Sequence, residues 1–192
     1  MTADPVLRAA LGAAPGVKWS ADDCGRPPGS CLLTLCHNAQ ATFVNPFITG
    51  LHLNSSQQIL CILSNSSVRM KGAQFLANAA AGVYVEDATL HMVNSTFQDN
   101  SCAALTEDLS EGRPGLTATG TARLHVEGSY FQNNSMSSAL GFRLLGPALA
   151  ALGQSNVTVT SSVFAENKPV ASVCPLCGAG AMVVNDSARG EH

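Results

Sequence analysis

The side chains able to do chemistry at a recurring place in this chain are His52, Arg69, His91, His125 and Thr158. Each stands between two apolar residues, as in Leu90-His91-Met92 and Leu124-His125-Val126. Alternation of that kind points the middle residue away from a core. Two imidazoles at equivalent places in neighbouring repeats could share a metal ion or form a pH-sensitive strip. The plainer reading is a pair of exposed histidines with nothing bound, and no metal or other cofactor is expected.

Carboxylates and cysteines are the other candidates. Polysaccharide lyases need clustered carboxylates for calcium with a basic residue to take a proton, and glycosidases need a pair of Asp or Glu flanking the scissile bond. Glu86, Asp87, Asp99, Glu127 and Glu166 fall at different places in the repeat, so they read as solvated turn residues. No catalytic residue is assigned. Seven cysteines invite disulfides, with Cys24, Cys31, Cys36, Cys102, Cys174 and Cys177 as candidates and Cys61 read as a buried small apolar residue. Cys174-Pro175-Leu176-Cys177 has the spacing of half a zinc knuckle or a redox pair, but a second Cys-x-x-Cys is missing, which favours disulfides. Asn54, Asn65, Asn94, Asn133, Asn156 and Asn185 begin Asn-x-Ser/Thr sequons and are candidate glycosylation sites, although Asn and Ser also serve tight turns.

What positions these groups is a repeat. Val68-Arg69-Met70 leads to Phe75 and Asn78, Leu90-His91-Met92 to Phe97 and Asn100, Leu124-His125-Val126 to Phe131 and Asn134, and Val157-Thr158-Val159 to Phe164 and Asn167. The four units align without a gap. Their inward-outward alternation over short runs is strand periodicity, and one such unit must stack on its neighbours to bury its apolar face. Small residues at Ala73, Ser95, Ser129 and Ser162 mark a bend between strands. Phe75, Phe97, Phe131 and Phe164 are expected to stack inside the coil. Asn78, Asn100, Asn134 and Asn167 are expected at a left-handed turn, with their amides bonded in a column.

Phe75 to Phe97 spans 22 residues, one turn of three short strands, while the next two spacings, 34 and 33, carry insertions after the Asn. Loops erupting from one corner would line one side of the coil. A second strand is legible at Gly82-Val83-Tyr84-Val85, Gly115-Leu116-Thr117-Ala118 and Gly180-Ala181-Met182-Val183. Leu51-His52-Leu53 reads as a degenerate earlier turn. The resulting expectation is an all-β, right-handed, single-stranded parallel β-helix of about five turns. Residues 1–50 form a leading or capping segment, 51–185 the repeat domain and 186–192 a tail.

Phe-x-x-Asn in four copies, with a weakened Gly-Gly-Ala element closest in Ala179-Gly180-Ala181-Met182, resembles the repeats of the chlamydial polymorphic outer-membrane protein family. More broadly it is similar to right-handed parallel β-helices of the pectin-lyase-like class. The resemblance covers about Leu51 to Val184 and implies a surface-exposed, adhesin-like protein.

Composition bounds the partners. With 46 % hydrophobic and 12 % charged residues, the 192-residue chain can fill one core. A net charge of −3, with ten Lys plus Arg against thirteen Asp plus Glu, gives no basic stripe for nucleic acid. Ala9 to Val17 is too short and too interrupted to span a bilayer or to serve as a secretory signal. The expected role is a non-catalytic, extracellular or cell-surface module that presents loops and a β face to a glycan or protein, as a monomer or as part of a longer chain. A carbohydrate-active β-helix enzyme, polysaccharide lyase or glycoside hydrolase, is the competing class, and a structural wall or shell component is the third.

Overall fold

The computed structural model describes residues 24, 30–53, 57–104, 114–138, 144–145, 147–170, 178–179, 182–184 and 189–191. Among them every regular element is a strand. The chain winds through β1 (Cys31–Leu35), β2 (Gln40–Val44) and β3 (Phe47–Thr49), then β4 (Gln58–Leu63), β5 (Ser67–Lys71) and β6 (Gln74–Leu76). A third circuit follows as β7 (Ala81–Glu86), β8 (Thr89–Val93) and β9 (Thr96–Gln98), extended by β10 (Ser101–Ala104). Next come β11 (Leu116–Thr119), β12 (Arg123–Glu127), β13 (Tyr130–Gln132) and β14 (Ser135–Ser138). After β15 (Leu144–Leu145) lie β16 (Leu149–Ala151), β17 (Asn156–Thr160), β18 (Val163–Ala165) and β19 (Lys168–Val170). The described elements close with β20 (Gly178–Ala179), β21 (Met182–Val184) and β22 (Arg189–Glu191).

Each strand pairs in parallel with its counterpart one circuit on, which makes the parallel β-solenoid that the repeat demands. The first sheet runs β1-β4-β7-β11-β16-β21, the second β2-β5-β8-β12-β17-β22 and the third β3-β6-β9-β13-β18. A short fourth sheet, β10-β14-β19, follows the Asn position of the later circuits. The coil begins earlier than the motif suggested. β1 to β3 lie within the segment assigned from sequence to a leading cap, yet they pair in register with β4 to β6. This circuit keeps the repeat's spacing with different residues: Ala41-Thr42-Phe43, then Ile48 in place of Phe and Leu51 in place of Asn.

The core is a set of columns. Leu33, Leu60, Val83, Leu116 and Leu149 line the first sheet, and Ala41, Val68, Leu90, Leu124 and Val157 the second. On the third sheet Ile48, Phe75, Phe97, Phe131 and Phe164 stand over one another. The ring centroids lie 4.4, 5.1 and 4.7 Å apart with planes within 9° of parallel. Strands about 4.8 Å apart impose that spacing, and each buried ring contributes on the order of 1.5–3 kcal/mol. Neighbouring circuits approach so closely at Gly115 that an added Cβ would sit 1.9 Å from the Ala148 carbonyl oxygen. Hence the glycines at the head of β7 and β11.

The Asn column forms, but not at the left-handed residue. Positive φ falls one place earlier, at Ala77, Asp99, Asn133 and Glu166, with Gly50 opening the series. That frees Asn78, Asn100, Asn134 and Asn167 to turn inward, where they are buried. Each side-chain amide of Asn78, Asn100 and Asn134 donates to the Oδ1 of the next Asn at 2.9 Å. Each of the four also donates to a carbonyl of the preceding circuit, at Ile48, Phe75, Phe97 and Phe131. A parallel ladder occupies the other corner, where Ser95, Ser129 and Ser162 accept from the backbone N–H of Ala73, Ser95 and Ser129.

Two disulfides secure the start of the coil, Cys24–Cys36 and Cys31–Cys61. Cys61 is therefore a disulfide partner, not a solitary apolar filler: it faces outward from the first sheet beside Cys31, away from the core columns. Cys102 is buried against Met136. Cys174 and Cys177 lie outside the described residues.

Candidate functional site

The first and second sheets treat their outward faces oppositely. On the first, Thr34, Cys61, Tyr84, Thr117 and Ala150 form one outward column, and all are at most 1 % exposed. On the second, the outward residues of β2, β5, β8, β12 and β17 are exposed or half-exposed throughout. The second sheet therefore presents a solvent-facing face, and the outward residues of β3, β6, β9, β13 and β18 on the third sheet are exposed or half-exposed as well.

Strand register arranges that face in three columns. Thr42, Arg69, His91, His125 and Thr158 run down the middle. Gln40, Ser67, Thr89, Arg123 and Asn156 flank it on one side, and Val44, Lys71, Val93, Glu127 and Thr160 on the other. The sequence reading of the middle column thus holds for Arg69, His91, His125 and Thr158. His52 does not belong: it bridges to Ala79 outside the second sheet, and Thr42 takes its place. The misplacement arose because Leu51-His52-Leu53 imitates the apolar alternation, while the true first circuit has Ile48 and Leu51 at the positions that Phe and Asn mark elsewhere.

On β2, β5, β8, β12 and β17, Arg69, Lys71 and Arg123 give this face three permanent cations against the single outward carboxylate of Glu127, on a chain of net charge −3. Local sign, not net charge, decides what such a surface attracts. At its centre the His91 and His125 rings meet edge to face with centroids 4.7 Å apart. His125 Nε2 lies 3.8 Å from Glu127 Oε2. Burial, then the neighbouring His125, then Arg69 push the His91 pKa below its ordinary 6.5, with Glu127 opposing them. The His91 Nε2 atom is itself buried and has no hydrogen-bond partner.

Glu86 and Glu127, expected at turns, end the strands β7 and β12, while the other carboxylates sit where turn chemistry places them. Asp87 Oδ1 accepts from the Thr121 backbone N–H and hydroxyl, Asp99 accepts from Asn133 and Gln98, and Gln132 approaches Glu166. These acids serve the coil's corners. Thr117 and Thr119 lie on the first sheet and Thr158 and Thr160 on the second, so they share no column. Of the sequon asparagines, Asn65, Asn94, Asn133 and Asn156 are exposed, the first three at left-handed corners. Asn54 and Asn185 lie outside the described residues, as do residues 105–113, 139–143 and 146 of the insertions expected to form side loops. Among the described residues no helix is long and apolar enough to cross a membrane.

The family described as "Right handed beta helix region" matches residues 36–191. No curated protein and no solved structure matches the chain.

Proposed function

The chain belongs to the right handed beta helix family, and from that premise we propose that it is a non-catalytic binding module whose ligand lies on the outward face of the second sheet. One observation carries this reading: the outward column of the first sheet is sealed, whereas the second sheet presents three in-register columns whose side chains, Val44, Val93 and Glu127 aside, are polar or cationic. A stack of parallel strands repeats its side chains about every 4.8 Å, which suits an extended, repeating partner better than a compact one. Arg69, Lys71 and Arg123 favour acidic groups on that partner, and arginine forks match carboxylates in geometry as well as charge. A uronate-bearing glycan fits both requirements. A protein with an acidic strip satisfies the charge requirement alone.

The Phe-x-x-Asn repeats, similar to those of chlamydial polymorphic outer-membrane proteins, support placing this module at a cell surface or outside the cell, in an adhesin-like role. Two disulfides in the first two circuits accord with an oxidising compartment.

The test is a glycan array that includes neutral and uronate-bearing chains, followed by incubation of each bound glycan with the protein and analysis of its ends. The proposal expects salt-sensitive retention of acidic glycans that come back unaltered. Release of unsaturated or new reducing ends would replace it with the carbohydrate-active enzyme. Retention of neutral glycans alone would remove the role given to the cations.

A further inference from the structure

We propose that His91, His125 and Glu127 form a zinc site on the second sheet, separate in origin from the ligand-binding role of that face. Candidate donor atoms from the three residues all lie within 4.8 Å of one another. Parallel pairing of β8 with β12 sets His91 directly beside His125, and Glu127, two residues further along β12, returns to the same face. Period-two alternation makes this a consequence of the fold, not of a chance loop.

The donor chemistry is that of zinc. Two imidazoles and one carboxylate are a known three-ligand set for this ion, with bonds of about 2.0–2.2 Å to nitrogen and oxygen. Two donors on a tetrahedral ion stand about 3.3–3.6 Å apart, so a pair separated by the full 4.8 Å must close by about 1.2–1.5 Å through side-chain rotation. His125 Nε2 and Glu127 Oε2, at 3.8 Å, are already close to that separation. The second observation is the His91 Nε2 atom, shielded from solvent with no hydrogen-bond partner. A polar atom in that condition is costly, and a metal bond would relieve it.

The surroundings set limits on the site. Arg69 is the neighbour of His91 in the column and repels a cation, while Glu127 supplies the one negative charge among the three ligands. Thr158 borders His125 on the far side and leaves room there. Three protein ligands leave a fourth coordination position for water or for an oxygen donor of a bound molecule. Copper(II), which imidazole also suits, binds such nitrogen sites more tightly than zinc and would compete.

The experiment is calorimetric titration of the whole, metal-free protein with zinc chloride alone, in a non-coordinating buffer. One saturable site per chain is expected. His125→Ala and Glu127→Gln should each weaken it by about tenfold or more, since losing even an outer partner of a metal ligand costs that much. His91→Ala and His125→Ala combined should abolish it, with the thermal unfolding curve of the metal-free variant confirming that the coil remains. His52→Ala, outside the column, should leave affinity unchanged. Absence of saturable binding to the wild-type chain, or unchanged affinity in the double variant, would overturn the site. Because zinc alone is the probe, failure here leaves the glycan reading standing, and failure of the glycan reading leaves this one standing.

Discussion

Asn100 and Asn134 are 34 residues apart in the chain and joined by a 2.9 Å hydrogen bond from the Asn100 Nδ2 to the Asn134 Oδ1. The same Oδ1 accepts the Asn100 backbone N–H, and the Asn134 Nδ2 serves both Asn167 Oδ1 and the Phe97 carbonyl. One buried amide therefore joins three successive circuits.

Asn134→Ala should lower stability by roughly 3–5 kcal/mol, because it strands several buried donors and acceptors at once, each costing about 1–3. Chemical denaturation followed by circular dichroism measures this. Asn134→Asp should be no better, since its carboxylate cannot donate to Phe97 or Asn167. A loss below about 1 kcal/mol would mean that the ladder contributes little net stability.

Phe131 is fully buried between Phe97 and Phe164 in the ring stack. Phe131→Ala should cost about 3–5 kcal/mol by opening a cavity that rigid neighbouring circuits cannot close. Phe131→Leu should recover much of that. Equal losses in the two variants would show that volume is not what the position requires.

The Cys31–Cys61 bridge ties the first circuit to the second across 30 residues. Peptide mapping without reductant should recover this pair and Cys24–Cys36. Replacing Cys31 and Cys61 together with serine should lower stability by about 2–4 kcal/mol, the usual effect of a disulfide closing a loop of this size. Recovery of Cys61 as a reduced thiol from an oxidising host would contradict the pairing.

Burial and its cationic neighbours lower the His91 pKa, so the folded state resists protonation more than the unfolded chain does. Stability from this group is fully present above the ordinary 6.5 and is lost as pH falls from there through the folded value. A nuclear magnetic resonance titration should place His91 below 6.5, and His91→Gln should flatten the acid slope of stability over that interval. A titration at or above 6.5 would refute the assignment.

Much of the architecture was legible because Phe and Asn are unusual enough to mark equivalent positions four times over. Where the first circuit replaces them by Ile48 and Leu51, the motif fell silent and the coil's start was misread. The same spacing was present in Ala41-Thr42-Phe43, visible only to someone counting offsets instead of residue types. The left-handed residue was misplaced by one because Asn suits both a tight turn and an inward amide ladder, and burial chose the ladder. The His91–His125 adjacency followed from the repeat. The contribution of Glu127 did not, since it reads from the sequence as a turn residue, whereas it is the last residue of β12 and shares the outward face of His125. Nothing in the residue pattern told the sealed face of the first sheet from the open face of the second, because Thr34, Thr117 and Thr119 look outward and polar yet are buried.

The most direct measurement of the proposed role is equilibrium binding of an acidic glycan to the wild-type chain and to a variant carrying Arg69→Ser, Lys71→Ser and Arg123→Ser. All three residues are exposed, so the fold should survive intact. Three screened charge contacts together predict an affinity loss of about 10- to 100-fold and a shallower salt dependence. A comparison variant at Gln98 and Gln132, on the third sheet, should bind as the wild type does. Unchanged affinity in the triple variant, or loss in the comparison variant instead, would contradict the assignment of the second sheet as the binding face.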